Sequence, residues 1–262
     1  MQRIAIIGCG NLGRSIAEGL ADSGGDEIAI TVTRRNTAAI SDLVPKGISV
    51  LRDNSEAVRS SDLIILAVKP YNVDQVLAEV SPELDPARHV VISVASGVTI
   101  ASMRKQVGDR ITVFRAMPNT ATLVRSSITC VSHDGADAKD VESVHHLFSH
   151  VGRSVEIRED LMEAATVLGA CGIAYAMRFI RAMTQGGIQI GFSAELASLI
   201  ASQTVKGAAE LLLEGQTHPE SEIDKVTTPK GCTIVGLNEM EHAGFSSSLI
   251  KGIVSSFDEI GG

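Results

Sequence analysis

The stretch Gly8-Cys9-Gly10-Asn11-Leu12-Gly13 constrains the chain most, because three glycines at this spacing join an apolar run, Ile4 to Ile7, to an amphipathic one, Leu12 to Leu20. That order predicts strand, turn and helix, the opening of a dinucleotide-binding fold. Gly8 is suited to the tight turn, Gly10 to close approach of a pyrophosphate, and Gly13 to packing of the helix on the first strand. The helix start then offers free amides to the phosphates. Glycine-rich turns also occur where only close packing demands them. The second apolar strand, at 28–32, favours the cofactor reading, with Ile7, Gly8, Cys9, Gly10, Asn11, Leu12 and Gly13 as its first contacts.

A length of 262 residues exceeds a typical domain of roughly 100 to 200, which predicts two units. Apolar runs near 2–7, 28–32, 48–51, 62–68, 89–94 and 111–115 alternate with amphipathic stretches. This is βαβ patterning and predicts an α/β fold with a largely parallel, doubly wound (Rossmann-type) sheet. A strand near 127–131, a helix over 137–149 and a strand near 154–157 complete a dinucleotide-binding domain over 1–158. From Glu159 onward the pattern is helical, over 160–190, 194–214 and 246–258. Apolar residues on more than one face of these helices predict that a second, all-helical domain, 159–262, packs against another copy of itself.

Charge and cysteine usage exclude several classes. The formal charge is −8 and no run of Lys or Arg is longer than two, which argues against nucleic acid. Cys9, Cys130, Cys171 and Cys232 form no C-x-x-C pair, so neither a metal site nor a disulfide framework is expected. Met1 leads at once into a strand, and no stretch of about 18 residues lacks polar interruption. The expected location is the cytoplasm, away from membranes.

Cofactor choice is read at the end of the second strand, where a carboxylate would select the unphosphorylated ribose. Here Thr33-Arg34-Arg35-Asn36 carries two guanidinium groups and no acid, which suits a 2′-phosphate and predicts NADPH, with NADH a weaker alternative. An arginine that only solvates a loop is the plainer account. Asn54, after the third strand, could cap a helix or reach the adenosine ribose. Ala67-Val68-Lys69-Pro70 ends the fourth strand at the edge where such sheets bind ligands, although Lys69 could equally be a solvated surface residue. Ala95 and Gly97, small residues after the fifth strand, leave room for a flat nicotinamide.

In the second half, the stretch from His218 to Leu237 interrupts a helical region with hydroxyls, Pro and Gly. Thr227-Thr228-Pro229-Lys230-Gly231 before a helix exposes amides and hydroxyls together, suited to a small carboxylate or simply to capping the helix near Cys232.

Together these motifs resemble the pyrroline-5-carboxylate reductase family. The matching pieces are GCGNLG at 8–13, Asn54-x-x-Ala57, AVKP at 67–70, Ser96-Gly97-Val98, MPNT at 117–120, GFSAELA at 191–197 and P-E-S-E-x-D-x-V-T-T-P-x-G-x-T from Pro219 to Thr233. The last is the most specific. The chain departs from the family pattern at Lys230 (usually Gly), Cys232 (commonly Thr or Ala), Ala121 (normally Pro) and Gly169-Ala170-Cys171-Gly172-Ile173, which replaces a Ser-Gly-Ser-Gly-Pro type of turn.

The resemblance implies reduction of the cyclic imine L-1-pyrroline-5-carboxylate to L-proline by a nicotinamide cofactor, in a homodimer or larger homo-oligomer. It implies Thr233 as the catalytic hydroxyl at the imine nitrogen, and Thr228, Gly231 and Cys232 with Thr233 as the carboxylate grip. Glu159 would stand beside the substrate amine and Lys225 near the cofactor. Two other classes share the glycine turn. A β-hydroxyacid dehydrogenase needs a lysine acid and base on the first helix after the domain join, and 160–190 contain no Lys. A silent cofactor-binding scaffold has no use for a carboxylate grip.

Overall fold

In the computed structural model, which describes residues 2–261, eight strands form one sheet. They are β1 (Gln2–Ile7), β2 (Ile28–Thr33), β3 (Ser49–Leu51), β4 (Leu63–Leu66), β5 (Val90–Ser93), β6 (Thr112–Met117), β7 (Ser127–His133) and β8 (Gly152–Glu156). Their order is β3-β2-β1-β4-β5-β6-β7-β8. The first six pair in parallel, β7 runs antiparallel to β6, and β8 runs parallel to β7. β4 and β5 are buried at every position, as strands covered on both faces must be.

Side-chain alternation along these strands builds two cores. On one face Ile4, Ile6, Val32, Ile65, Ile92 and Phe114 pack with Ile16 and Leu20 of α1 (Asn11–Gly24). On the other, Ile7, Ile64, Leu66, Val91 and Val113 meet α2 (Asn54–Arg59), α3 (Val73–Val80) and α4 (Ile100–Val107). α5 (Ala138–Ser149) returns to the first face through Val144, Leu147 and Phe148. Burying each such side chain stabilises by roughly 1.5–3 kcal/mol. The chain passes from β1 to β2 on one side and then back beyond β1 to β4. This reversal opens a crevice at the carboxyl ends of those strands.

Two compact units divide the chain between Ile173 and Ala174, fifteen residues beyond the join expected from sequence. The first unit keeps α6 (Met162–Ala165) and a π-helical turn, Thr166–Cys171, where Asn119 Nδ2 donates to Gly169 O at 3.1 Å. This turn holds the departure at Gly169 to Cys171, and α7 (Gly172–Gln189) continues directly from it.

The second unit contains most of α7 with α8 (Ala194–Gly215), α9 (Pro219–Val226), α10 (Cys232–His242) and α11 (Phe245–Gly261). Gly187 lies so close to α8 that a Cβ there would be 3.0 Å from Ala197 Cβ, and Tyr175 Oη lies 2.7 Å from Ser256 Oγ. α9 corrects the reading of 218–237 as a break in the helices. Pro219 stands in its first turn, where a missing N–H costs nothing, so within this stretch only the cap residue His218 and Thr227 to Gly231 stay outside helix.

One helical run bears on the expectation about membranes. Glu159–Gln189 is a helical run of 31 residues, long and apolar enough to cross one by length and composition. Arg178 and Arg181 interrupt it; Leu168 and Met177 are exposed, while Met162 and Val167 are buried.

Candidate functional site

The glycine turn has the geometry its spacing predicts. Gly8 adopts φ +97°, and a Cβ there would lie 2.6 Å from Val68 Cγ1 and 2.9 Å from Ala67 O. A Cβ on Gly13 would lie 2.4 Å from Gly8 O, so α1 can approach β1 only without one. At Gly10 a Cβ would meet nothing within 4 Å. Beside that open space begins α1, with no side-chain cap and no acid in its first turn. Its amides are free, and the arrangement fits a pyrophosphate.

Backbone hydrogen bonds gather the remaining strand ends around this turn. Cys9 N donates to Thr33 O at 2.9 Å, Ala67 N to Ile7 O at 2.8 Å and Val94 N to Leu66 O at 3.1 Å. Cys9 is buried, and burial pushes its thiol pKa up. Leu12 is half-buried and Asn11 exposed. Arg34 Nη1 donates to Cys9 O at 3.0 Å, which lays its guanidinium across the turn, and Arg35 is exposed. The other cation of the region, Arg14, is held by Glu18 and Asp42.

Asn54 does not cap α2. Asp53 does, accepting from Glu56 N at 3.1 Å, because the chain is still extended at Asp53 and already helical at Asn54. Asn54 Oδ1 instead accepts from Thr33 Oγ1 at 2.7 Å, and that buried hydroxyl in turn accepts from Gly8 N at 3.3 Å. Thr33, the last residue of β2, is thus tied into the glycine turn and brings no carboxylate to the strand end.

On the far side of the crevice Ala67 and Val68 are half-buried, while Lys69 and Pro70 are exposed at the start of a short 3-10 turn. Ala95 is buried, with its amide donating to Ser93 Oγ at 3.3 Å. Gly97 turns at φ +73° with open space where a Cβ would stand. The chain then enters α4, capped by Thr99. Glu159 Oε1 accepts from Ile100 N at 2.8 Å, so its carboxylate lies at the start of the helix that follows the Ala95 to Gly97 turn. The same oxygen accepts from Arg115 Nη1 at 3.3 Å.

Arg115, in β6, is the residue sequence reading missed. Its signal was a charge inside the apolar run Val113-Phe114-Arg115-Ala116-Met117, which is costly unless paired.

In the second unit, Gly231 N donates to Thr228 O at 2.9 Å and closes a turn through Pro229 and Lys230. Lys230 is left-handed at φ +59°, the conformation glycine adopts most readily, so the turn closes with lysine in that place at a cost of roughly 1–2 kcal/mol. A Cβ on Gly231 would fall 2.5 Å from Thr228 Oγ1, which ties those two positions together.

Gly231 is the N-cap of α10, without a side-chain cap bond or an acid in the first turn. Its own amide is spent on the turn, so the free donors are those of Cys232, Thr233 and Ile234. Thr233 lies inside the first turn and is not the cap. Its hydroxyl is half-buried and makes no hydrogen bond among the described residues. Lys225 is exposed and paired with Glu222 Oε1 at 2.6 Å.

A pyrophosphate cradle at the carboxyl edge of a doubly wound sheet, with arginines in place of an acid, defines a nicotinamide-dinucleotide oxidoreductase of the NADP type. Residues 3–97 match the family model described as NADP oxidoreductase coenzyme F420-dependent, and residues 159–260 the one described as pyrroline-5-carboxylate reductase dimerisation. Pyrroline-5-carboxylate reductases 1 and 2 of Dictyostelium discoideum are 45% and 41% identical to this chain, each over 98% of it. The chain spans 49% of the first relative's length and 92% of the second's. A crystal structure of Plasmodium falciparum pyrroline carboxylate reductase with NADP bound superposes with a TM-score of 0.86 at 26% identity, covering 99% of this chain and 97% of that one. The chain belongs to the pyrroline-5-carboxylate reductase family and is an NAD(P)H-dependent oxidoreductase.

Proposed function

We propose that the chain reduces L-1-pyrroline-5-carboxylate to L-proline with NADPH. The observation that carries this reading is the presence on one chain of two prepared anion sites, the open space at Gly10 and the uncapped, acid-free start of α10 at Gly231. Gly8 to Gly13 would hold the pyrophosphate, Arg34 and Arg35 the 2′-phosphate, and Ala95 and Gly97 the ring. Asn54 and Ala67 to Pro70 would line the same crevice, with Lys225 as a further contact. When bound, the cofactor supplies the hydride.

The protein's share is position and charge. The amides of Cys232 and Thr233, with the Thr228 hydroxyl, anchor the substrate carboxylate beside Gly231. Hydride adds to the carbon of C=N, the π pair moves to nitrogen, and nitrogen then requires a proton. The Thr233 hydroxyl both donates and accepts, so it can hydrogen-bond that nitrogen and relay the proton from solvent. Glu159 is the carboxylate that would accept a hydrogen bond from the amine as it forms. Mixing the chain with NADPH and the imine should give saturable loss of reduced-nicotinamide absorbance with proline as product. No oxidation above the protein-free rate would end the proposal.

Arg35→Ala is expected to raise KM for NADPH about tenfold or more and to affect NADH far less, since a lost charge-assisted contact costs roughly 1.5–3 kcal/mol. Equal effects on the two cofactors would remove the 2′-phosphate assignment.

The helical region 159–262 serves as the dimerisation and substrate-loop domain, in a homodimer that can assemble further in the cytoplasm. Met177, Leu199, Ile250 and Val254 are each more than half exposed in the single chain, and an obligate interface on the order of 2,000 Å² or more would cover such residues. Light scattering at micromolar concentration should give at least twice the chain mass. A monodisperse monomer would overturn this.

A further inference from the structure

Arg115 is only 2% exposed, and the reduction as described leaves it without a role. Its side chain shares the α4 face of the sheet with Val113, two residues earlier. Nη1 reaches Glu159 Oε1 at 3.3 Å and Nη2 reaches Glu163 Oε1 at 2.8 Å, while the buried Nε has no partner among the described residues. A buried ion pair left partly unsatisfied is a poor device for stability alone, because desolvation offsets much of its attraction.

Its arrangement suits a cationic ligand. One guanidinium stands against two carboxylates, leaving one negative charge in excess. Both bonds to Glu159 fall on Oε1, so Oε2 has no hydrogen-bond donor among the described residues. Glu159 is one-third exposed and opens on a recess of about 560 Å³ that it shares with Ile100, Arg104, Lys105 and Asp134. Arg104 is taken up by Asp134 at 2.5 Å. The amide gripped by Oε1, that of Ile100, lies three residues after Gly97.

We propose that Arg115 is a positioning residue for the reduction. It pins Glu159 through Oε1 across the first amide of α4 and leaves Oε2 to accept a hydrogen bond from the N–H that forms as the nitrogen takes its proton and that proline retains. Glu163 holds the other arm of the guanidinium and so sets its angle. No bond is made or broken at Arg115, and its influence passes through Glu159. The inference rests on the reading that the substrate is a cyclic imine.

The test is a double-mutant cycle of Arg115→Met and Glu159→Gln on the full chain, with Glu163→Gln and Arg115→Lys alongside. Each of the first two changes should lower kcat/KM for the imine roughly ten- to a hundredfold, and the double variant should be no worse than the poorer single one. Calorimetric affinity for proline in the presence of NADP+ should fall in parallel, while the Kd for NADPH stays within about twofold of wild type, as expected for groups that act through the substrate amine. Arg115→Lys, which keeps the charge but lacks the planar fork that holds two carboxylates at a set angle, should recover only part of the loss.

If Arg115→Met does not fold, Glu163→Gln carries the test. It loosens the guanidinium without emptying the site and should reduce kcat/KM for the imine several-fold with NADPH affinity unchanged. Multiplicative losses in the cycle, or a lower melting temperature with normal turnover per folded molecule, would overturn the role of Arg115. A wild-type protein inactive on the imine would instead overturn the function on which the inference depends.

Discussion

Thr233→Ala is expected to lower turnover roughly ten- to a thousandfold, the range for removing a positioned donor or proton-transfer group, while NADPH binding stays nearly unchanged. The hydroxyl lies in the first turn of α10 without a hydrogen bond among the described residues, so it is available to the substrate nitrogen. Thr233→Ser keeps that hydroxyl and should recover much of the rate. Were Thr233 a cap, its loss would cost about 1 kcal/mol of stability and leave turnover per folded molecule intact. The geometry already weakens that account, because Gly231 occupies the N-cap position. Melting temperature and turnover measured on both variants decide the matter, and normal turnover from Thr233→Ala would sink the catalytic assignment.

Gly10→Ala and Gly13→Ala should fail in different ways although they lie three residues apart. A methyl on Gly10 meets no protein atom, and φ there is −87°, which alanine tolerates. The melting temperature should move little, while the Kd for NADPH rises on the order of a hundredfold as the methyl displaces the pyrophosphate from charge-assisted amide contacts worth roughly 1.5–3 kcal/mol each. A methyl on Gly13 collides with the backbone at Gly8 O, so α1 must move away from β1. That overpacking should cost roughly 1–3 kcal/mol of stability and weaken cofactor binding as a consequence. Calorimetric melting and fluorescence titration of NADPH separate the two cases. A Gly10→Ala protein that binds NADPH normally would remove the cradle from the site.

Much of the dinucleotide unit was legible because its signals are local. Short apolar runs bounded by turns mark strands buried on both faces, and Gly8 and Gly13 announce their places by lacking a Cβ where one would collide with backbone. Strand ends were less legible. The run 62–68 reads as one strand, yet β4 is only Leu63–Leu66: Ala67 keeps a single bond to the sheet, its amide to Ile7 O, before Val68 continues into the rim. Nothing in their apolar character distinguishes a rim residue from a buried one. At Asp53-Asn54 both side chains are good caps, and the backbone entry angle alone decided for Asp53.

By itself, the sequence determined the order of strands in the dinucleotide unit, the glycine cradle, the absence of a carboxylate after β2 and the hydroxyl-rich loop before α10. Each is written in a few adjacent residues. Only the tertiary structure decided that Thr33 ties Gly8 to Asn54, that the first compact unit extends to Ile173, and that Arg115 meets Glu159 and Glu163. Those last partners lie 44 and 48 residues apart in the chain, on a strand and at the start of a helical run. A charge buried in β6 predicts that some partner must exist, because desolvation would otherwise be prohibitive. Which carboxylates answer it depends on how the chain after β8 folds back over the α4 face, and that is settled by packing between segments that no local pattern connects.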